Sequence, residues 1–280
     1  MIIAIIILSL VLIFLLSGIY CNRNLKTVLY NLSFKSLPKS FDGFRIAQIS
    51  DLHNCEHGKG NSKTLTLLKN AHPDIIVITG DMIDSRRTKI DVSEAFAKKA
   101  VKIAPCYYVC GNHEARMPDE YAILLKKLKK AGVHTMQNEI ITIKKNSDSI
   151  TLIGAEDPYV IRRETEEPNS EILNKTLKEL LKQNHSDFTV LLCHRPEHIK
   201  VYAEHNIDLC LTGHTHGGQI KLPFIGGLFA PNQGFLPKYD SGFFKEKDTT
   251  LFISRGVGNS QFPVRFLNPP EIPIFVLNAE

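Results

Sequence analysis

The run Asp74-Ile75-Ile76-Val77-Ile78-Thr79 has no polar face. Unbroken β-branched residues of this kind suit a strand buried on both faces, the situation of a sheet enclosed between layers. The run stops at Gly80-Asp81-Met82-Ile83-Asp84, so carboxylates appear where a buried strand ends. The juxtaposition recurs along the chain. Residues 44–50 alternate and deliver Asp51-Leu52-His53; residues 106–110 end in Gly111-Asn112-His113-Glu114; residues 188–193 end in His194-Arg195-Pro196-Glu197. A fifth apolar run, 208–212, leads into Gly213-His214-Thr215-His216-Gly217-Gly218-Gln219. In α/β folds functional groups gather at the C-terminal ends of strands, so the five endings point to one site.

The residue types in these endings are those that bind cations. Asp51 and His53 are two apart and can chelate one ion, although D-x-H alone is equally a plain loop. Asp81 can bridge two cations through its two oxygens, with Asp84 either accepting a hydrogen bond behind the ligands or capping a helix N-terminus. Asn112 offers a neutral carbonyl oxygen where another anion would over-neutralise the metals, and His113 beside it can face substrate instead of metal. His214 and His216 would alternate faces if their strand continued. The flanking glycines end it and allow both imidazoles to converge, unless the segment is only a polar turn after a core strand.

Between these endings the pattern predicts helices over 62–71, 92–103, 121–131 and 171–182, a hairpin of 139–143 with 149–153, and further strands at 251–254 and 274–277. The charged stretch 158–168 reads as a solvated surface loop or the lining of a substrate entrance. Residues 224–235, rich in Gly, Pro and Phe, read as a long loop that either packs into the core or dips into a membrane interface. His57, His72, His134, His185, His198 and His205 lack a strand-end context and read as surface or core residues.

The formal charge of +5 is spread out, and Lys126, Lys127, Lys129 and Lys130 share a helix with Leu124, Leu125 and Leu128, so they form a solvated face and imply no nucleic acid. Cys21, Cys55, Cys106, Cys110, Cys193 and Cys210 show no C-x-x-C spacing and read as free thiols, mostly buried. Residues 2–19 carry no charge, and 18 such residues make roughly 27 Å of helix at ~1.5 Å per residue, enough to cross a bilayer core. Arg23, Lys26, Lys35 and Lys39 follow the span, which places the globular part in the cytoplasm by the positive-inside rule. The expected organisation is an anchor at 1–20, a linker and entry segment at 21–43, and one domain at 44–280.

The order D-x-H, G-D-x-x-D, G-N-H-E, a lone His, then G-H-x-H, running from about Arg45 to Gln219, resembles the calcineurin-like metallophosphoesterase superfamily. The N-terminal span, the Gly217-Gly218-Gln219 extension and the tail Ser254-Arg255-Gly256-Val257-Gly258-Asn259-Ser260 with Pro263-Val264-Arg265-Phe266 resemble a bacterial membrane-associated branch of it. The resemblance implies a four-layer α/β/β/α sandwich, two mixed sheets face to face with helices outside. It also implies that Asp51, His53 and His216 hold one metal, that Asn112, His194 and His214 hold a second, and that Asp81 bridges them. The ions would be Mn²⁺, Fe or Zn²⁺, which imidazole and carboxylate suit alike. Two such ions lower the pKa of a bridging water, giving hydroxide for attack on phosphorus. Protonated His113 would stabilise developing charge or protonate the leaving group, with Asp84 orienting it or a ligand.

The expected activity is hydrolysis of phosphodiesters or lipid-linked phosphoesters near a membrane, with a phospholipid or a lipid-linked sugar as candidate substrate. A nuclease or protein phosphatase of the same superfamily, or a metal-bound scaffold without catalysis, are the alternatives.

Overall fold

In a computed structural model of the chain, residues 1–259 and 264–280 are described; Ser260 and Pro263 of the tail motif lie outside them. Helix α1 (Ile2–Arg23) is followed by β1 (Lys26–Phe34) and β2 (Phe44–Ile49). Then α2 (Ser62–Ala71) leads to β3 (Ile75–Thr79), α3 (Ile90–Ala100) to β4 (Cys106–Val109), and short α4 (Asn112–Ala115) with α5 (Pro118–Ala131) to β5 (His134–Thr135). A hairpin of β6 (Glu139–Lys145) and β7 (Asp148–Gly154) opens the second half. It continues through α6 (Tyr159–Arg162) and α7 (Asn169–Leu181) to β8 (Thr189–Leu192), and through α8 (Ile199–Glu204) to β9 (Leu209–Thr212). Two very short hairpins follow, β10 (Lys221–Leu222) with β11 (Gly226–Gly227) and β12 (Phe229–Ala230) with β13 (Gly234–Phe235). The chain closes with β14 (Gly242–Glu246), β15 (Thr249–Ile253) and β16 (Glu271–Ala279).

The strands form two six-stranded mixed sheets, ordered β1-β16-β2-β3-β4-β5 and β14-β15-β9-β8-β7-β6. Each has a parallel centre, β2 to β5 in one and β15, β9, β8 and β7 in the other. Strand alternation explains the layering. In β3, Ile75 and Val77 pack with Val190, Leu209 and Leu211 of the facing sheet, whereas Ile76 and Ile78 pack with Leu68, Phe96 and Leu124 of the covering helices. In β9 the odd positions turn inward and Cys210 packs against Leu177 and Tyr202 of the other helical layer. A strand with apolar side chains on both faces requires a cover on each, and two such sheets give the α/β/β/α sandwich expected from the resemblance. Helix α5 shows how a cover is encoded. It has Pro118 in its first turn, buried Leu124 and Leu128 at i,i+4, lysines outward, and Gly132 ending it at φ 94°.

The sequence reading needs revision at four places. Residues 21–43 are not a linker, because β1 within them pairs in parallel with β16 over nine residues. Its Tyr30 ring lies 5.0 Å from Phe252 and 5.9 Å from Phe275, and Phe34 lies 4.9 Å from Phe188. Strand β14 was also not anticipated; it turns back at Lys247 (φ 52°) to pair with β15. The stretch 158–168 contains the helical turn α6, and 224–235 holds the short hairpins. The six cysteines are free, and all but Cys55 are buried. Burial pushes the Cys106 thiol up to about 12, Cys193 to about 11, and Cys110 and Cys210 well above the ordinary range.

A chain starting at Asn22 should keep cooperative unfolding, whereas one starting at Asp42 loses β1 and uncovers Phe252 and Phe275. Burial of an apolar side chain stabilises by ~1.5–3 kcal/mol, so loss of Tyr30, Leu32 and Phe34 should cost roughly 4 kcal/mol or more. At about 2–4 °C per kcal/mol, thermal unfolding by circular dichroism should read a fall in Tm of roughly 10 °C between the two.

Candidate metal centre

The strand ends of both sheets meet at one edge of the sandwich. The seam beneath them is tied by Gln48, whose Nε2 donates to Thr79 Oγ1 (2.8 Å) and to the Thr212 carbonyl (2.9 Å) across the sheets. Asp51, His53, Asp81, Asn112, His194, His214 and His216 are all buried there. Side chains aimed back over a strand end need a sharply turned backbone, and it is paid for in conformation. Asp51, His53, Asp81, His214 and His216 all sit at positive φ (54°, 45°, 52°, 75° and 51°), which for non-glycine residues costs of order 1–3 kcal/mol each. Glycines supply the close approaches: a Cβ at Gly213 would come 1.9 Å from Ser50 Oγ, and one at Gly111 would come 2.2 Å from Asp81 Oδ1.

The ligand-type atoms fall into overlapping clusters, each within 4.8 Å: Asp51, His53 and His216; Asp81, His194 and His214; and His53, Asp81 and His113. Asp81 thus stands between two groups of imidazoles. Its Oδ2 lies 3.1 Å from His194 Nε2 and 3.5 Å from His53 Nε2, and its Oδ1 accepts from the His113 backbone N–H at 2.9 Å.

The electrostatics show what these groups lack. His194 Nδ1 donates to the Thr79 carbonyl at 2.7 Å, so in the neutral ring Nε2 carries a lone pair facing the Asp81 oxygen. Burial would lower this histidine, yet Asp81 and Asp51 overcome it and raise the pKa to about 10; a cation between the two atoms relieves the same repulsion as that proton. Burial would raise Asp81, but His194 and His113 hold it well below the usual carboxylate range, while burial pushes Asp51 up to about 6. The Nε2 atoms of His53 and His216 lie 3.1 Å apart, and burial lowers both rings, His53 to about 4 and His216 well below the usual histidine range, which favours the neutral form of each. Asn112 Oδ1 is buried and has no hydrogen-bond partner. Converging nitrogen lone pairs, carboxylates and an orphaned amide oxygen are a donor set that fits transition-metal or zinc ions.

Two residues behave differently from the sequence reading. Asp84 caps no helix, because α3 begins only at Ile90. Its carboxylate is occupied by Arg86, through the backbone N (2.9 Å), Nε (3.0 Å) and Nη2 (2.8 Å), and stays 3.7 Å from His113 Nδ1. The orienting group of His113 is Ser85, whose backbone N–H donates to Nδ1 at 3.0 Å and leaves Nε2 as the ring's own donor.

Several residues of the site carry no role in the sequence reading. Glu114, fully buried, accepts from the backbone N–H of Asp81 (2.9 Å), Ile83 (3.0 Å) and Gly111 (2.8 Å) and so locks two ligand loops together. Its position three residues after Gly111, at the start of a helix, is a capping-box signal. Asn268 Nδ2 donates to the His216 carbonyl (2.7 Å) and Asn232 Nδ2 lies 3.0 Å from His214 Nε2; they come from loops 52 and 18 residues away, and nothing local marks them. Gly218 has its own reason. A Cβ there would come 2.3 Å from Gly227 Cα, so its absence lets the β10–β11 hairpin sit on the metal-site turn.

The family model described as calcineurin-like phosphoesterase matches residues 44–218. The uncharacterized metallophosphoesterase YkuE of Bacillus subtilis is 31% identical over 260 residues, covering 91% of this chain and 86% of its own. Phosphodiesterase YaeI of Escherichia coli is 26% identical over 239 residues, covering 84% of this chain and 82% of its own. Among solved structures, TT1561 of Thermus thermophilus shares the fold with a TM-score of 0.52 at 14% identity, over 76% of this chain and 90% of that one. The chain belongs to the calcineurin-like phosphoesterase family. It is a metallophosphoesterase, a hydrolase of phosphoric esters whose His/Asp clusters suit a dinuclear metal centre.

Replacing Asp81 with Asn removes the anion shared by two clusters. Metal content by mass spectrometry and turnover of a nitrophenyl phosphodiester should both collapse; two retained metals with wild-type turnover would rule out a bridging Asp81.

Proposed function

We propose that this protein hydrolyses a phosphodiester, or another phosphoester carried by a lipid, at the surface of a membrane that α1 spans. The observation that carries the reading is a cleft of about 650 Å³ lined by two unlike sets of side chains. Asp81, Asn112, His113, His214 and His216 contribute one; Ile220, Leu228 and Phe229 contribute the other. Such a cleft suits a phosphoryl group bearing an apolar substituent. YaeI, similar over most of its length, is named a phosphodiesterase. Helix α1 is long and apolar enough to cross a bilayer. Arg23, Lys26, Lys35 and Lys39 behind it favour a cytoplasmic catalytic domain.

In this reading Asp51, His53 and His216 would hold one ion, Asn112, His194 and His214 the other, and Asp81 would serve both. Mn²⁺, Fe or Zn²⁺ held there would supply Lewis-acid activation of the phosphoryl group and of water near neutral pH. The chain's own residues orient and polarise. The Thr79 carbonyl fixes the tautomer of His194, and Glu114 holds the loops of Asp81 and Asn112 at one spacing. His113 is the group for the departing oxygen. With Nδ1 accepting from Ser85, the ring offers a neutral Nε2–H, which serves charge stabilisation better than full proton transfer. Arg86, ion-paired to Asp84, and Arg116 also line the cleft and bring positive charge toward an anionic substrate.

His113→Ala should keep both metals and lose about 10²–10³-fold in turnover, the cost of one such donor. The loss should be similar for nitrophenyl and alkyl esters; a much smaller loss with the nitrophenyl ester would instead identify His113 as a general acid. The membrane part is tested separately. A chain starting at Asn22 should turn over soluble nitrophenyl esters at the full-length rate. On phospholipid vesicles it should fall by about 10²-fold, because tethering replaces a separate encounter with the surface. Equal vesicle turnover by the two chains would remove the case for a lipid-borne substrate.

A further inference from the structure

We infer that the two short hairpins β10–β11 and β12–β13, together with Leu267, form an apolar collar that seats in the lipid bilayer and places the mouth of the metal cleft at the membrane surface. The inference rests on the membrane reading of α1 and adds to it the surface that docks and its depth.

The distribution of exposed apolar side chains comes first. After α1, ten large hydrophobic residues are exposed among the described residues, and six of them are Phe224, Ile225, Phe229, Phe235, Leu236 and Leu267. Phe224 at the β10–β11 turn is fully exposed, at 109%. The collar is therefore an apolar patch, not the scatter of single residues usual on a soluble surface.

The lower end of α1 fixes what covers it. The helix does not leave the domain on a free linker. Phe14 stacks on Phe266 with ring centroids 5.3 Å apart, and a Cβ at Gly18 would come 2.5 Å from Val264 Cγ1. Cys21 is buried, and Asn22 Oδ1 accepts from the Arg265 backbone N–H. The uncharged span runs on to Ile19, five residues beyond Phe14, or roughly 7–8 Å along the helix axis. The segment holding Val264 and Phe266 therefore lies alongside apolar helix, at the depth of the lipid boundary.

From this segment the chain connects directly to the collar. Leu267 follows Phe266 and is half exposed, and Lys221 N donates to the Phe266 carbonyl at 2.9 Å, joining the start of β10 to it. The Phe229 and Phe235 rings meet edge-on at 5.5 Å, and Leu228 closes the base of both hairpins: its N–H donates to the Ile220 carbonyl at 2.8 Å and its carbonyl accepts from the Leu236 N–H at 3.0 Å, so the two hairpins share one root. Their inner side supplies Ile220, Leu228 and Phe229 to the cleft. One structural unit thus offers apolar side chains outward to lipid and inward to substrate, and a lipid-borne phosphoester reaches the metals without first leaving the bilayer. A second copy of the chain is the other possible cover, but nothing else in the structure is continuous with the patch as α1 is.

The chain contains no tryptophan, so each introduced indole is a unique emitter. Full-length Phe224→Trp, Leu267→Trp, Leu8→Trp and Ile123→Trp proteins would be placed in nanodiscs of plain or acyl-brominated phosphatidylcholine. The Phe224 and Leu267 positions should emit to the blue of Ile123→Trp, exposed on helix α5 outside the collar, and lose intensity in brominated discs. Leu8→Trp, within α1, reports the membrane reading on its own: if it is not quenched, that reading fails and the docking inference with it. Quenching at Leu8 with water-like emission at both collar positions overturns the inference alone. Blue-shifted collar emission that brominated lipid leaves unquenched overturns it in favour of a protein partner such as a second copy.

Discussion

The candidate metal centre depends on parallel strands of two separate sheets ending at the same level. Ile75 and Val77 of one sheet interlock with Val190, Leu209 and Leu211 of the other, and this apolar register brings Asp51, Asp81 and Asn112 to face His194, His214 and His216. Parallel neighbours require crossovers, and the helices that make them are also the covers that each strand's second apolar face demands. The amide of Gln48 is the polar complement to this packing. A buried side chain that finds partners in both sheets, Thr79 and the Thr212 carbonyl, cannot tolerate slippage of one sheet over the other.

Convergence is costly for the backbone. Left-handed conformations at Asp51, His53, Asp81, His214 and His216, at of order 1–3 kcal/mol each, together compare with the net stability of a typical domain. They persist because the surroundings over-determine them. Glu114 takes three backbone N–H groups from the Asp81 and Asn112 loops, Asn268 holds the His216 and Gln219 carbonyls, and Arg265, itself wholly buried, donates to the carbonyls of Arg255, Gly256 and Gly258. Gly258 N in turn donates to the Asp51 carbonyl at 2.8 Å, so this buried cation reaches the candidate metal site through one loop. Placement of the candidate metal-site side chains is therefore a property of the whole edge of the sandwich, and the supporting residues bear as much of it as those side chains do.

How much of this was legible in the sequence follows from which signals are local. Strands buried on both faces announce themselves by composition, and glycine with a polar residue after each announces the site; β3, β8 and β9 and their endings were readable for that reason. The edge strand β1 was passed over although Tyr30, Leu32 and Phe34 alternate with Asn31 and Ser33, because a half-exposed strand preceded by a membrane-like helix reads as linker. Glu114 had a local signature and was readable in principle. Ser85, Asn232 and Asn268 did not, since a hydrogen bond made across tens of residues leaves no trace in spacing. Asp84 is a different case: Arg86, two residues on, is plain in the sequence and takes most of the carboxylate, while the carboxylate still lies 3.7 Å from His113 Nδ1, a division between two partners that spacing alone does not apportion.

The thiols carry a consequence of a different kind. Cys106, Cys110, Cys193 and Cys210 are wedged in or beside the strands, and burial raises their pKa values far enough that almost no thiolate exists in the folded chain at neutral pH. Thiolate, not thiol, is what oxidants and alkylating reagents attack. For these four cysteines the period of chemical vulnerability is therefore the interval between synthesis and closure of the sandwich. For these four a reducing environment matters while the chain is being made, and much less once the sandwich has closed, which leaves partly exposed Cys55 as the thiol still open to reagents.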